Sequence, residues 1–235
     1  QKYTLDENLK TNINKNLISL KDISFSYGDN QKDILKNINL SIEKGTIVGI
    51  TGETGAGKST LFHIMLGLLT PKSGNIFYKD KNIHKNMETW RNQIGYIAQN
   101  IYLLDNTIEK NISFNFLDEK IDEERMDFSI KMSCLDEKIS ELPNGLKTKV
   151  GNDGVRLSGG EKQRIALARS IYRNPNIFFM DESTSALDLD TEQRIIKNMK
   201  ENFSKKTIIL IAHRKTTIDE CDKIINLKNG HISLN

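Results

Sequence analysis

The stretch GETGAGKS, at residues 52–59, contains the residue types that bind phosphate. Its glycines, lysine and serine have the spacing of a P-loop, in which backbone N–H groups wrap a phosphate. In that arrangement Lys58 reaches the β- and γ-phosphates, and the Ser59 hydroxyl binds Mg²⁺. The stretch follows an apolar run and precedes a helical pattern, so a glycine-rich turn without a ligand is the weaker interpretation. We therefore predict a nucleotide-phosphate site at this loop.

Acidic residues follow a second apolar run, NIFFM, at residues 176–180. Asp181 suits a water-mediated contact with Mg²⁺, and Glu182 suits the general base that polarises an attacking water. Acids at this position also cap turns, but a P-loop in the same chain makes that the weaker interpretation. His213 ends the run TIILIA and suits a hydrogen bond to the γ-phosphate, although a single histidine at a strand end is more often structural.

A second glycine motif, LSGGEKQR, occupies residues 157–164. Ser158 and Glu161 have the spacing of a capping box that opens a helix. The predicted core stripe of this helix is Ile165, Ala168 and Ile171 or Tyr172. The start of such a helix has free N–H groups and the positive end of the helix dipole, which attract anions. The segment therefore predicts a capped helix whose first turn can also contact a phosphate.

Hydrophobic patterns predict the elements that position these residues. Alternating apolar residues indicate two half-buried antiparallel strands, at Ile23, Phe25 and Tyr27 and at Ile38, Leu40 and Ile42. Continuous apolar runs indicate buried strands, at residues 46–51, 94–98, 176–181 and 207–212, with a final short strand at 223–227. Helices are predicted at residues 191–203 and from Lys58, the latter with a core stripe of Leu61, Ile64, Met65 and Leu68.

The order of these elements predicts an α/β fold. It combines a P-loop NTPase core with a parallel central sheet, an N-terminal antiparallel β-subdomain and an inserted α-helical subdomain. Residues 1–16 are polar and predict a linker. Residues 17–235 are then one domain, with the ATP-binding core at 17–98 and about 174–235 and the helical subdomain at about 99–173.

Composition excludes some classes of function. The chain has 34 Lys and Arg against 31 Asp and Glu, so the net charge of +3 gives no signal for nucleic-acid binding. Cys134 and Cys221 are far apart in sequence, which favours two reduced thiols. The apolar run at residues 208–212 is too short to span a bilayer. The chain starts at Gln1 without a signal peptide, which indicates a piece of a longer protein.

Taken together and in order, the motifs resemble the nucleotide-binding domain of an ABC transporter over about residues 17–234. They are GETGAGKS, Gln99, LSGGE, the pair Asp181 and Glu182, SALD at residues 185–188, and His213. This resemblance implies an ATPase that uses ATP and Mg²⁺. It also implies that Tyr27 stacks on adenine, that Gln99 touches Mg²⁺ and the lytic water, and that residues 185–188 communicate across a dimer.

The resemblance assigns the site residues as follows. The catalytic residues are Lys58, Gln99, Glu182 and His213. The metal contacts are Ser59, Gln99 and Asp181. The nucleotide contacts are Tyr27, Gly52, Glu53, Thr54, Gly55, Ala56, Gly57, Lys58, Ser59, Thr60, Gln99 and His213. A second copy would contribute Ser158, Gly159, Gly160 and Glu161, because two chains pack head to tail around two ATP.

Within the family the chain resembles exporters, with the lipid or oligosaccharide flippases as the nearest group. Residues 100–114 resemble an exporter segment, as does the run TKVGNDGVRLSGGEKQR. Two departures are Ala98, where the family has proline, and Asn152, where it has glutamate. The implied partners are a transmembrane domain, of the same or another chain, and a second nucleotide-binding domain, identical or different. The implied location is the cytoplasmic face of the cell membrane, with no nucleic acid involved.

Other functions remain as alternatives. A soluble importer subunit is disfavoured by the exporter-like segment and by the start at Gln1. A non-transport ABC ATPase acting on DNA or ribosomes is disfavoured because the chain has no long heptad run and only one cassette. A module that holds ATP without hydrolysis is disfavoured because Glu182 and His213 are both present.

Overall fold

The computed structural model describes residues 16–28, 31–114, 120–151, 157–181, 186–212 and 214–234 of the 235-residue chain. The strands are β1 (Asn16–Phe25), β2 (Leu35–Glu43), β3 (Ile47–Thr51), β4 (Ser73–Tyr78), β5 (Lys81–Asn82), β6 (Ile94–Ile97), β7 (Asn106–Thr107), β8 (Lys149–Val150), β9 (Ile177–Asp181), β10 (Thr207–Ile211), β11 (Lys223–Lys228) and β12 (His231–Leu234). The helices are α1 (Lys58–Met65), α2 (Met87–Asn92), α3 (Ile108–Ser113), α4 (Glu123–Met132), α5 (Asp136–Glu141), α6 (Gly159–Tyr172), α7 (Leu189–Asn202) and α8 (Lys215–Ile218).

An antiparallel sheet is formed by the N-terminal strands in the order β2-β1-β4-β5. The predicted alternation holds, because Ile23 of β1 lies opposite Ile38 of β2 and both are buried. The strand β1 ends at Phe25, so Tyr27 lies beyond it and is 59% exposed. The sequence analysis did not predict β4 and β5, which complete the sheet beside β1.

A six-stranded sheet forms the centre of the fold, in the order β12-β11-β3-β10-β9-β6. The five strands from β11 to β6 run parallel, and β12 pairs antiparallel with β11 at the edge. The strand predicted at residues 223–227 is present as β11, but it is not the last one, because the chain turns at Asn229 and Gly230 and returns as β12. Both turn residues have positive φ, 53° and 81°, which is the Asn-Gly signature of a tight hairpin.

Apolar side chains pack on both faces of the central sheet. On one face Phe62 of α1 meets Phe179 of β9 edge to face at 5.2 Å, and Trp90 lies beside them. Alternate residues of the same strand point the other way, where Phe178 packs on Phe203 below α7. Because both faces of these parallel strands are buried, their sequences are continuous apolar runs. The predicted α/β class is confirmed.

The helix after the glycine loop is shorter than its sequence pattern suggested. Leu61, Ile64 and Met65 are fully buried, as predicted, but Leu68 is 59% exposed. The helix α1 ends at Met65 because the chain reverses at Gly67, where φ is +73°. The reversal carries Leu68 off the core stripe.

A separate apolar cluster joins α3, α4 and α6. It contains Ile112, Met126 and Ile130, and the predicted stripe residues Ile165 and Ala168 are both buried in it. The region is mostly helical, as expected, but it also contains the two-stranded sheet of β7 and β8. The guanidinium of Arg169 on α6 donates to the backbone carbonyl of Asn111 on α3 at 2.7 Å, which ties these helices together.

Candidate functional site

The glycine loop at residues 52–57 joins the central strand β3 to α1, as the P-loop pattern requires. Gly52 has φ +144°, and a Cβ there would collide with the carbonyl oxygen of Leu227 on β11. Gly57 has φ +100° and lies against Ile34. Only glycine combines these dihedral angles with such close approach. The loop is therefore held in shape by the strands around it.

Lys58 bends back across this loop. Its Nζ donates to the carbonyl oxygens of Gly52 at 2.8 Å and Glu53 at 3.1 Å, and the residue is 7% exposed. The ammonium charge is thereby placed over the concave side of the loop. The next residue, Ser59, is exposed on the first turn of α1. A cation and a hydroxyl on a curved loop match the needs of a nucleotide phosphate.

A groove of about 530 Å³ opens beside the loop. It is lined by loop residues 53–56 and by Ile34, together with the side chains of Lys32, Lys36 and Lys228. Its volume is in the range of small-molecule sites. The groove is lined by three lysines and by two acidic residues, Asp33 and Glu53, so its small excess of positive charge favours an anionic ligand.

Tyr27, the predicted adenine contact, lies next to the start of α1. Its hydroxyl is 3.1 Å from the Thr60 hydroxyl, and its ring packs edge to face on Phe25 at 5.0 Å. These contacts orient the ring while one side stays exposed. The structure thus brings Tyr27 and Thr60 to the same side of the phosphate loop, and an exposed aromatic face suits stacking on a base.

Asp181 ends β9 at the same edge of the central sheet as the P-loop. It is 5% exposed and lies opposite Ile211 of β10, which itself pairs with β3. Gln99 lies just past the end of β6, the other neighbour of β9, and is exposed. The carboxyl ends of these strands meet at one edge, where ligands of open α/β sheets bind.

Tyr96 on β6 is a neighbour of Asp181 that the sequence analysis missed. Burial raises the pKa of the Tyr96 phenol, and the negative charge of Asp181 raises it further. The phenol therefore remains protonated near neutral pH. The alternation of β6 placed Tyr96 on a strand, but no sequence signal connected it to an aspartate in another strand.

Several predicted residues lie outside the described part of the chain. They are the proposed base Glu182, the proposed phosphate sensor His213, Ser185 of the SALD motif, and the departure at Asn152. The rest of the SALD motif, residues 186–188, is described. The carboxylate of Asp188 accepts a hydrogen bond from the Thr191 N–H at 2.8 Å and caps α7.

The second glycine motif forms the capped helix start that the sequence predicted. The Ser158 hydroxyl oxygen accepts from the Glu161 N–H at 3.2 Å, and the Glu161 carboxylate accepts from the Ser158 N–H at 2.7 Å. Gly159 and Gly160 form the first positions of α6, next to Ala186. The two glycines at the start of α6 thus lie against residues 186–187, whereas the glycines of the P-loop lie against β11 and the start of β2.

Two side-chain contacts around these motifs were not foreseen. Lys138 of α5 lies 3.0 Å from a carboxylate oxygen of Glu161. The carboxylate of Glu192 on α7, which is 2% exposed, receives hydrogen bonds from Arg214 and Thr217 at 2.5 and 2.6 Å. Both pairs join segments distant in sequence, so neither left a local signal.

A P-loop between a central parallel strand and a helix, with a buried aspartate ending a nearby strand, defines a P-loop nucleotide-binding protein. The ABC transporter family model matches residues 35–185. The chain therefore belongs to the ABC transporter family.

Known relatives agree with this assignment. The leukotoxin translocation ATP-binding protein LktB of Mannheimia haemolytica is 39% identical over 219 residues, which are 93% of this chain and 31% of the relative. LktB of Bibersteinia trehalosi is also 39% identical, over 92% of this chain and 30% of the relative. The solved structure of a bacterial Atm1-family ABC exporter with ATP bound has a TM-score of 0.86 and 34% identity, over 94% of this chain and 39% of that one.

The chain spans about a third of the length of the curated relatives it matches. In the part of the chain that the structure describes, none of the helices has the length and apolar character needed to cross a membrane.

Proposed function

We propose that this chain is the ATP-binding and ATP-hydrolysing motor domain of an ABC exporter. The observation that carries the proposal is the shared sheet edge, which carries both the P-loop with its inward-bent Lys58 and the buried Asp181. The relatives named as a translocation ATP-binding protein and an exporter favour export over import. The proposal places the domain at the cytoplasmic face of a membrane, beside a transmembrane domain.

The residues of the site have distinct tasks in this proposal. The loop N–H groups and Lys58 bind the phosphates, and Tyr27 stacks on the adenine. Gly55 suits the closest approach of the phosphates, because a Cβ there would meet nothing within 4 Å. Glu182 takes a proton from the attacking water, and His213 contacts the γ-phosphate.

The residues at the sheet edge fit a magnesium ion. Ser59, Asp181 and Gln99 offer hydroxyl, carboxylate and amide oxygens, the hard ligands that Mg²⁺ prefers. Bound there with ATP, the ion would offset negative charge on the phosphate oxygens. The chain's own part is to hold these oxygens at one edge, which the adjacent ends of β6 and β9 support.

We propose further that two copies, or one copy and a related domain, form a head-to-tail dimer. The start of α6 in one copy, with Ser158, Gly159, Gly160 and Glu161, then closes on the ATP held by the P-loop of the other. The exposed position of Ser158 and Gly159 supports this arrangement. The division into a core at residues 17–98 and 174–235 and a helical subdomain at 99–173 is part of the same proposal.

Replacement of the proposed base tests the function. We expect Glu182→Gln to keep ATP binding and to lower steady-state hydrolysis by about 10²–10⁴-fold, because the water loses its proton acceptor. Glu201→Gln is the matched control, since Glu201 is an exposed carboxylate on α7. Phosphate release and equilibrium ATP titration measure the two effects. Hydrolysis at the wild-type rate in Glu182→Gln would contradict the assignment.

A further inference from the structure

The carboxylate of Glu161 is held on both of its oxygens. Oε2 accepts from the backbone N–H of Ser158 at 2.7 Å, and Oε1 lies 3.0 Å from Nζ of Lys138. The capping box explains the first contact and follows from local sequence. The second contact comes from a different helix, α5, so it is not needed to cap α6.

The contact between Lys138 and Glu161 changes the net charge at the start of α6. The helix dipole is equivalent to about +0.5 elementary charge at an N-terminus, and an ionised glutamate adds about −1. Glu161 alone would therefore give this helix end a net negative charge of about −0.5, which repels a phosphate. With Lys138 beside it the sum returns to about +0.5, which attracts one.

Both groups of the pair are charged and partly shielded from water. The side chain of Lys138 is 27% exposed and that of Glu161 is 15% exposed. Burial tends to raise the pKa of Glu161, but the Ser158 N–H and Lys138 together lower it below its usual value. The carboxylate in turn raises the pKa of Lys138. Glu141 also approaches Lys138, at 3.7 Å, but its side chain is 69% exposed and its charge is better screened.

We propose that Lys138 is a positioning residue for the start of α6. It neutralises Glu161 and keeps the carboxylate turned back on its own helix, so that the N–H groups of this helix end remain attractive to the ATP of the partner copy. This inference rests on the proposed function, because it concerns the part of the site that one copy contributes to another.

A purely structural role for Lys138 makes a different prediction. If Lys138 only fastens α5 to α6 through this ion pair, loss of either partner breaks the link, so Glu161→Gln harms activity as much as Lys138→Met does. If Lys138 compensates charge, the helix end becomes repulsive only when Lys138 is lost while Glu161 is ionised, so Glu161→Gln alone does not raise the KM for ATP. Glu161→Gln separates these cases, because glutamine keeps an oxygen for the Ser158 N–H and loses the charge.

The test is a double-mutant cycle in the 235-residue chain, with steady-state ATP hydrolysis as the readout. We expect Lys138→Met to raise the KM for ATP about tenfold at low salt, with a smaller change in kcat, because the helix end becomes repulsive. In the Glu161→Gln background the same change alters KM less than about twofold. Lys138→Arg keeps the wild-type KM, since the charge remains.

Lys131→Met is the matched control, because it removes an exposed lysine from the neighbouring helix α4. Its KM should equal that of the wild type, and thermal unfolding identifies any variant that is not folded. A rise in KM in Glu161→Gln as large as that in Lys138→Met, an equal rise for Lys138→Met in both backgrounds, or no rise in either overturns the role of Lys138 and leaves the proposed function intact. A wild-type chain that binds no ATP overturns the proposed function and this inference with it.

Discussion

The P-loop and the start of α6 both place glycines and backbone N–H groups at the beginning of a helix, but the chain holds them in different ways. The P-loop is packed into the fold: Gly52 touches β11, and Lys58 is buried against the loop's own carbonyls. The start of α6 projects outward, and a capping box and Lys138 hold it. In the proposed dimer, the P-loop is complete within its own chain, whereas the start of α6 is presented to the partner copy.

The two segments also differ in how their helices begin. The N-cap of α1 is Gly57, in a left-handed conformation and without a side-chain hydrogen bond. The N-cap of α6 is Ser158, whose side chain already accepts a helix N–H. A cap without a side chain leaves the first N–H groups of α1 to a ligand. In the proposed dimer, this difference suits the start of α1 to bind the phosphate with several N–H groups. It suits the start of α6 to make fewer contacts, on the opposite side of the same phosphate.

Mutations in the P-loop and at the start of α6 should differ most in their effect on the affinity for ATP. We expect Lys58→Met to weaken ATP binding about a hundredfold or more, because a charged contact to the phosphates is lost. Ser158→Arg should remove hydrolysis but leave the ATP affinity of the dilute monomer nearly unchanged, since that residue serves a partner's ATP. Equilibrium titration with a non-hydrolysable ATP analogue measures both variants. A large loss of monomer affinity in Ser158→Arg would mean that both segments serve the same chain.

Replacement of a glycine should lower the stability of the protein more in the P-loop than at the start of α6. A Cβ at Gly52 would meet the Leu227 carbonyl at a strained φ, so Gly52→Ala should lower the free energy of unfolding by about 3 kcal/mol. Gly159 lies in a helix, with the Ala186 methyl 3.2 Å from the added Cβ. Gly159→Ala should therefore change stability by less than about 1 kcal/mol. Urea unfolding measures both, and equal losses would show that the start of α6 is as tightly packed as the P-loop.

The smallest effect concerns the cap of α6. Ser158→Ala should lower the free energy of unfolding by about 1 kcal/mol, since the Glu161 N–H loses its acceptor. Asp122→Ala is the control, because Asp122 caps α4 by accepting from the Arg125 N–H at 3.1 Å. We expect a similar loss of stability in the two variants, with loss of ATP hydrolysis only in Ser158→Ala. Hydrolysis lost equally in both would mean that it depends only on the stability of the helical region.

Much of this fold could be predicted from sequence because its signals are local. The P-loop spacing, the capping box of α6 and the apolar runs of β3, β9 and β10 each lie within about a dozen residues. The errors arose where local patterns were incomplete. Leu68 continued the stripe of α1 in sequence, but the reversal at Gly67 ended the helix, and the Asn-Gly turn before β12 was overlooked.

Local sequence patterns were enough to identify the chemical groups of the site and the elements that carry them. They predicted the loop with Lys58, the acid at the end of β9 and the capped start of α6. The packed fold was needed to show which distant groups meet: Tyr27 with Thr60, Tyr96 with Asp181, and Lys138 with Glu161. Such pairs form because packing brings separate elements together, and a charge acts through space on any group within several ångströms, whatever their separation in sequence.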